Sequence, residues 1–344
     1  MSLSAKPCCA VCQTSRDSAT TLSRCAACKS IFYCSREHQI QDRDAHKSQC
    51  NAIKRSQAAL DREETRLRNH PGDLMTPSNL FGEEHAGHFW GILETRTYMR
   101  NRYAVVEALL KIKTYAAVDA AHTHLMDMLR LCRGDNMGLR SVVPAVKLRL
   151  GRDQEAYDFV KWWITTGKES DYDWGNLDLP FLDVRNADVC EDIPSHLLSR
   201  YVDLSHAVAV ILIKVRLLLD LRTSRDAAIL GGKSSPDLLD ADRALPLNVS
   251  SSATLLEKQN PENVESASNL IDRLLSQVQE LYGHVSRRNR FFWPAVREPG
   301  GHLTARPDSY SEGSVQEMQL ALQYCWDAWI ESPGAIRLLD QECQ

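Results

Sequence analysis

The chain has 344 residues, of which 43% are hydrophobic and 25% charged, a composition typical of a globular protein with two or three domains. Its formal net charge of -4 excludes a general attraction to nucleic acid or to an anionic membrane, although the residues up to about His70 are net basic. The opening residues, MSLSAKPCCAV, lack the apolar core of a secretory signal, and charged residues interrupt the most apolar stretch, 204–221. We therefore expect an intracellular protein, in the cytoplasm or the nucleus, with no membrane span.

Cysteines are concentrated at the start of the chain. Seven of the 11 lie in the first 50 residues: Cys8, Cys9, Cys12, Cys25, Cys28, Cys34 and Cys50. The thiols of an intracellular protein stay reduced, so closely spaced cysteines indicate metal binding rather than disulfide bonds.

Eight of these Cys and His residues form four consecutive pairs: Cys9/Cys12, Cys25/Cys28, Cys34/His38 and His46/Cys50. The first two pairs have the C-x2-C spacing of a knuckle, and the i, i+4 spacing of the others places both side chains on one helix face. Eight such ligands make two closed tetrahedral sites, with no open position for a substrate or an activated water. Cys and His without a carboxylate predict zinc as the metal, and iron is the alternative that ligand type alone leaves open. Cys8 is an alternative first ligand, and the spacing to Cys12 favours Cys9.

The segment 6–50 is too poor in large apolar side chains to fold by burial alone. A structural zinc ion contributes about 10–16 kcal/mol of apparent binding free energy in small domains, which is enough to offset that deficit. We therefore predict a small domain that folds around two zinc ions.

The run from Arg24 to Gln39, RCAACKSIFYCSREHQ, followed by Asp42, His46 and Cys50, resembles the MYND zinc finger. Spacing alone leaves consecutive pairing open, whereas the resemblance implies that the pairs interleave. One zinc would then be held by Cys9, Cys12, Cys34 and His38, and the other by Cys25, Cys28, His46 and Cys50. The resemblance also implies a protein-interaction role.

Two positions depart from the family pattern. His38 stands where the family usually has Cys, a change that zinc accepts readily. Arg43 stands where a Trp usually follows the Asp. In family members that bind proline-rich peptides, that Trp and the Gln matching Gln39 resemble parts of the peptide groove, so binding of such peptides carries over only weakly.

Beyond the finger, the residues 51–97 predict a connecting helix over 51–70, stopped at Pro71-Gly72, and a loop. Apolar residues at helical spacing then predict an all-helical domain over 98–333. Ala120 and Ala156 lie one pseudo-repeat apart, close to the tetratricopeptide period, so the first hairpins resemble tetratricopeptide units. A non-repetitive helical domain is the alternative.

Within this domain the turn at Gly151-Arg152-Asp153 makes Asp153 a predicted N-cap. Further helices are predicted at 195–222, 262–282 and 314–331, with a mobile loop over about 231–260, where Gly, Ser, Asp, Pro and Asn dominate. The C-terminal part is similar to that of MYND-bearing proteins of fungi, a resemblance that implies no activity.

Together these features predict a non-catalytic zinc-binding adaptor that contacts other proteins. The alternative is a transcriptional regulator that uses the basic N-terminal region to contact nucleic acid. A more remote alternative is a lysine methyltransferase with a SET domain. In those enzymes SET sequence flanks the finger and the fold is strand-rich, whereas this chain has a short segment before Cys9 and a helical pattern after it.

Overall fold

The computed structural model describes residues 3, 6–15, 21–169, 171–229 and 264–343. The chain forms two compact units. The N-terminal unit contains Leu3–Leu139 and Asp173–Phe181, and the C-terminal unit contains Arg140–Tyr172 and Leu182–Gln344. The predicted boundaries at 50/51 and 97/98 therefore fall inside the first unit, because the finger and the three helices after it pack together. The predicted mobile loop at 231–260 lies outside the described residues.

The N-terminal unit begins with a two-stranded antiparallel ribbon, in which Ser23 pairs with Tyr33 and Arg24 with Phe32. The regular elements of this unit are β1 (Ser23–Arg24), β2 (Phe32–Tyr33), α1 (Arg36–Gln41), α2 (Arg43–Arg68), α3 (Arg96–Leu110) and α4 (Tyr115–Leu131). Short 3-10 helices lie at Glu83–His85, Phe89–Gly91 and Leu93–Thr95. Helix α3 packs between α2 and α4.

Helix α2 begins earlier than predicted, at Arg43 rather than near residue 51. Its buried residues recur at helical spacing along one face: His46, Cys50, Ile53, Leu60 and Leu67. The same stripe that contacts α3 therefore carries two predicted zinc ligands at its N-terminal end. This continuity joins the finger to the helices that follow it.

The C-terminal unit contains seven α-helices among its described residues: α5 (Val143–Arg149), α6 (Asp153–Ile164), α7 (Leu204–Ile229), α8 (Val264–Arg288), α9 (Phe292–Arg297), α10 (Val315–Ile330) and α11 (Ala335–Glu342). Shorter 3-10 helices lie at Leu139–Ser141, where the two units meet in sequence, and at Thr166–Lys168, Ser195–Leu198 and Gly300–Thr304. The helices predicted at 262–282 and 314–331 are confirmed. The one predicted at 195–222 begins later, at Leu204, because Asp203 accepts a hydrogen bond from Ser205 N at 2.8 Å and ends the preceding loop.

Helix α7 is the centre of this unit. Its first 15 residues are buried on every side, and α5, α6, α8, α10 and α11 all pack against it. The C-terminal unit thus packs around one central helix, and the all-helical prediction is confirmed. The tetratricopeptide-like interpretation of the hairpins over 98–167 stays a prediction.

Two charged residues are buried within α7. Lys214 is 0% exposed and donates to Gln277 Oε1 at 2.8 Å, and Arg216 is 3% exposed. Such side chains need protein partners rather than lipid around them. Among the described helices, none is both long and apolar enough to cross a membrane.

Candidate metal centre

The first site brings together Cys9, Cys12, Cys34 and His38, whose ligand atoms all lie within 4.8 Å of one another. His38 Nδ1 is 3.1 Å from Cys34 Sγ and 3.5 Å from Cys9 Sγ. The Sγ atoms of Cys12 and Cys34 are 3.5 Å apart. Cys9 is fully buried and Cys12 is exposed, so this site lies at the edge of the finger.

The second site brings together Cys25, Cys28, His46 and Cys50, again with all ligand atoms within 4.8 Å of one another. Cys28 Sγ is 3.5 Å from His46 Nε2, and the Sγ atoms of Cys25 and Cys50 are 3.8 Å apart. All four residues are buried. The interleaved pairing implied by the family resemblance is thus confirmed.

Each C-x2-C knuckle is closed by the residue that follows its second cysteine. Gln13 N donates to Cys9 O at 2.9 Å, and Lys29 N donates to Cys25 O at 2.9 Å. Both Gln13 and Lys29 have left-handed backbones, with φ of 58° and 55°. This conformation could not be predicted from the sequence, because glycine or asparagine would mark it and neither stands at these positions.

The i, i+4 pairs are oriented by the helix ends. Ser35 caps α1, accepting a hydrogen bond from His38 N at 3.3 Å, and this directs the His38 ring back toward Cys34. At the junction of α1 and α2, Tyr33 OH donates to Asp42 Oδ2 at 2.7 Å. Burial and this contact with Asp42 raise the pKa of Tyr33, which keeps the phenol protonated as a donor. The bond holds β2 against the helices that supply both imidazoles.

The thiol electrostatics fit a bound cation. The pKa of Cys25 is lowered to about 6, because backbone and side-chain hydrogen bonds from Cys28 and His46 outweigh the opposing effect of burial. In the same site burial raises the pKa of Cys28 to about 12, and in the other site contact with Cys12 raises that of Cys34 to about 11. Three thiols this close cannot all ionise unless a positive charge lies among them. A Zn²⁺ ion would supply that charge, and thiolate and imidazole are the ligands that it prefers.

One ring nitrogen supports the same assignment. His46 directs Nε2 toward Cys28, and its buried Nδ1 has no hydrogen-bond partner among the described residues. With Nε2 as the ligand atom, Nδ1 carries the proton. The position of Nε2 among the thiols is the feature that fits a metal ligand.

Cys8 lies outside both clusters. Its thiol donates to Gln13 Oε1 at 3.3 Å, whereas Cys9 Sγ belongs to the first site. The preference for Cys9 over Cys8 is therefore confirmed.

A comparison with protein families gives the same reading. Residues 9–50 match the family model of the MYND finger. This segment is a MYND finger. MYND fingers are zinc-binding modules that mediate protein interactions, and the two Cys3His sites of this finger fit two zinc ions. No curated protein and no solved structure gave a significant match to the chain.

In the MYND finger, the residues that match the peptide groove of other family members lie at or near the surface. Gln39 is half-buried and its side chain accepts a hydrogen bond from Arg36. Its neighbour Ile40 is 59% exposed, and Arg43, which stands in place of the family's Trp, is also exposed. This side of the finger carries one large apolar side chain beside polar and basic groups.

Proposed function

We propose that the chain is a non-catalytic adaptor whose MYND finger binds another protein. The observation that carries the proposal is the composition of the two metal sites. Each brings three thiols and one imidazole together, and four protein ligands fill the tetrahedral shell of a structural zinc. A catalytic zinc keeps one position open for water or substrate. Zinc therefore shapes a surface in this domain.

The surface suited to a partner lies on α1. That helix contains no buried residue, and its large apolar side chain, Ile40, points to solvent beside Gln39. Exposed apolar side chains rimmed by polar groups are typical of protein-binding sites. A contact here would leave both zinc sites intact.

The charges of α2 favour a protein over a nucleic acid as the partner. Arg66 pairs with Glu63 at 2.8 Å and with Glu94 at 2.6 Å. Arg68 pairs with Glu64 at 2.7 Å. These acidic side chains offset part of the basic N-terminal region, which reduces its attraction for phosphates.

The test compares proteins captured from cell extract by the full-length chain and by two variants. Ile40→Asp places a charge on α1, and Leu93→Asp is the matched control, because Leu93 is 67% exposed in the same unit but outside the finger. Zinc content is measured for all three proteins. We expect a partner that is lost with Ile40→Asp, kept with Leu93→Asp, and unaffected by nuclease.

The salt dependence of capture separates the two classes of partner. Binding that rests on about six to ten phosphate contacts falls by about 10³–10⁵ between 50 and 200 mM salt, whereas binding to an apolar surface changes little. Capture that is abolished over this range, or that is the same for all three proteins, would contradict the proposal.

A further inference from the structure

The two metal sites of the finger differ in how far solvent reaches their thiols. In the first site Cys12 is exposed and Cys34 is half-buried, whereas Cys25, Cys28 and Cys50 of the second site are all buried. Oxidation of a cysteine requires contact between its sulfur and a dissolved oxidant, so exposure selects the thiols that react. The two sites should therefore differ in their sensitivity to oxidants.

The packing of the N-terminal unit accounts for this difference. The second site takes His46 and Cys50 from the buried stripe of α2, the helix that packs against α3. The first site takes His38 from α1, a helix that contains no buried residue. The helices of the unit thus cover one site and leave the other at the surface.

Within the first site, Cys12 and Cys34 are placed to react with each other. Their Sγ atoms are 3.5 Å apart, and Cys12 Sγ also lies 3.1 Å from the hydroxyl of the exposed Thr14. The third thiol, Cys9, is 0% exposed and lies 3.5 Å from His38 Nδ1. An oxidant that arrives from solvent therefore meets Cys12 first, with Cys34 as the neighbouring half-buried thiol.

We propose that Cys12 and Cys34 are an oxidation site, at which a hydroperoxide forms a disulfide and the first metal site loses its ion while the second keeps its own. Cysteines that ligate a metal are thiolates, the nucleophilic form. The Cys12 sulfur attacks one oxygen of hydrogen peroxide and becomes a sulfenic acid, and the other oxygen leaves as hydroxide. The Cys34 sulfur then attacks the Cys12 sulfur, forms the S–S bond and displaces the second hydroxide. In sum, two thiolates, one hydrogen peroxide and two protons give one disulfide and two water molecules.

The disulfide leaves Cys9 and His38 as the remaining ligands of the first site. Two ligands do not complete the tetrahedral shell of a structural zinc, so this site no longer retains an ion. The second site shares no residue with the first, so its four ligands are unchanged. The inference concerns the ligands alone and does not depend on the proposed adaptor role.

Treatment of the zinc-loaded, full-length protein with hydrogen peroxide tests this proposal. Native mass spectrometry counts the ions over time, and peptide mapping after alkylation of the remaining thiols locates each disulfide. We expect the first ion to be lost about tenfold faster than the second, or more, together with a disulfide between Cys12 and Cys34. A reductant with added zinc should return the count to two, because a disulfide is reversible.

Three variants separate thiol chemistry from simple escape of the ion. Cys12→His keeps four ligands at the first site but removes the disulfide, so it should retain both ions at the same peroxide dose. Cys50→His makes the same exchange in the buried site and should lose one ion as fast as wild type. Cys8→Ser removes the half-buried thiol beside Cys9 and should also behave as wild type. If Cys12→His contains one ion before treatment, the disulfide map of the wild type decides alone.

Three results would overturn the proposal. The first is loss of both ions at the same rate, which would mean that exposure does not separate the sites. The second is a first disulfide that joins Cys9 to Cys12 or that includes a thiol of the second site. The third is loss of one ion from a fully loaded Cys12→His variant at the wild-type rate.

Discussion

Thr114 joins the MYND finger to the helices through a single hydroxyl. Its Oγ1 donates to the carbonyl of Ser30, between the second knuckle and β2, at 2.8 Å. The same oxygen accepts from Ala117 N at 3.3 Å and so caps α4. Ser30 is 2% exposed, so its carbonyl has little access to water. The Thr114 hydroxyl thus satisfies both the N-terminus of α4 and the buried carbonyl of Ser30, which lies 84 residues earlier in the chain.

Replacing Thr114 should therefore destabilise the N-terminal unit. Thr114→Ala loses the cap, worth about 1 kcal/mol, and leaves the Ser30 carbonyl unsatisfied, which costs about 1–3 kcal/mol more. Thr114→Ser keeps the hydroxyl and is the matched control. Urea unfolding of the zinc-loaded protein measures the difference. Equal urea midpoints for Thr114→Ala and Thr114→Ser would show that the two hydrogen bonds of the hydroxyl do not stabilise the unit.

The buried pair Arg216–Asp153 gives a second prediction. Its atoms are 2.8 Å apart, with side-chain exposures of 4% and 0%, and Arg216 Nε also donates to Ser332 Oγ at 2.7 Å. Arg216→Met leaves the carboxylate of Asp153 buried without its cation and should destabilise the C-terminal unit by about 3–5 kcal/mol.

Another arginine of α7 supplies the control. Arg222 pairs with Glu342 at 2.8 Å, and both side chains are more than a quarter exposed. Arg222→Met should cost no more than about 1 kcal/mol. Urea midpoints followed by tryptophan fluorescence compare the two variants. Equal losses of stability in Arg216→Met and Arg222→Met would contradict the prediction that the buried ion pair matters more than the exposed one.

The raised pKa of Asp220 predicts that the stability of the protein depends on pH. Burial, and then the charge of Asp153, raise its pKa from 3.8 to about 7. The folded protein therefore keeps this proton between about pH 4 and pH 7, where the unfolded chain has released it, so the contribution of Asp220 to stability falls as pH rises through that window.

Replacing Asp220 by a side chain that cannot ionise should remove this pH dependence of stability. Asp220→Asn should match wild type near pH 4 and exceed it by about 1–3 kcal/mol near pH 8. Asp226→Asn, an exposed change on the same helix, should leave the pH profile unaltered. Denaturant unfolding at several pH values measures all three proteins. A constant difference between Asp220→Asn and wild type at every pH would contradict the prediction.

The ligand set could be predicted from the sequence because its determinants are local. Knuckles and i, i+4 pairs are set by one turn of chain, so all eight residues were identified from spacing. Which pairs share a metal is a tertiary property, and the resemblance to the MYND finger supplied it where spacing could not. The left-handed backbone of Lys29 escaped prediction because no glycine or asparagine marks that position.

Longer-range features were predicted less well. Asp153 was expected to cap α6, but it is the first residue of that helix and pairs instead with Arg216, 63 residues away. Buried partners override local capping preferences, and no local pattern reveals such a pair. Likewise, 173–181 belongs to the N-terminal unit although the residues on either side of it do not. Arg133 in that unit donates to the carbonyl of Leu179 at 3.1 Å, a contact that composition cannot indicate.

The central claim is that two interleaved Cys3His sites organise the finger, and counting zinc in two double variants by native mass spectrometry tests it most directly. Cys9→Ser with Cys34→Ser removes two ligands from one site, so the protein should keep one ion. Cys9→Ser with Cys25→Ser damages both sites, so it should keep none, while Cys8→Ser should keep two. The reverse order, in which the Cys9/Cys34 variant is empty and the Cys9/Cys25 variant holds one ion, would mean that consecutive pairs share each metal and would contradict the account.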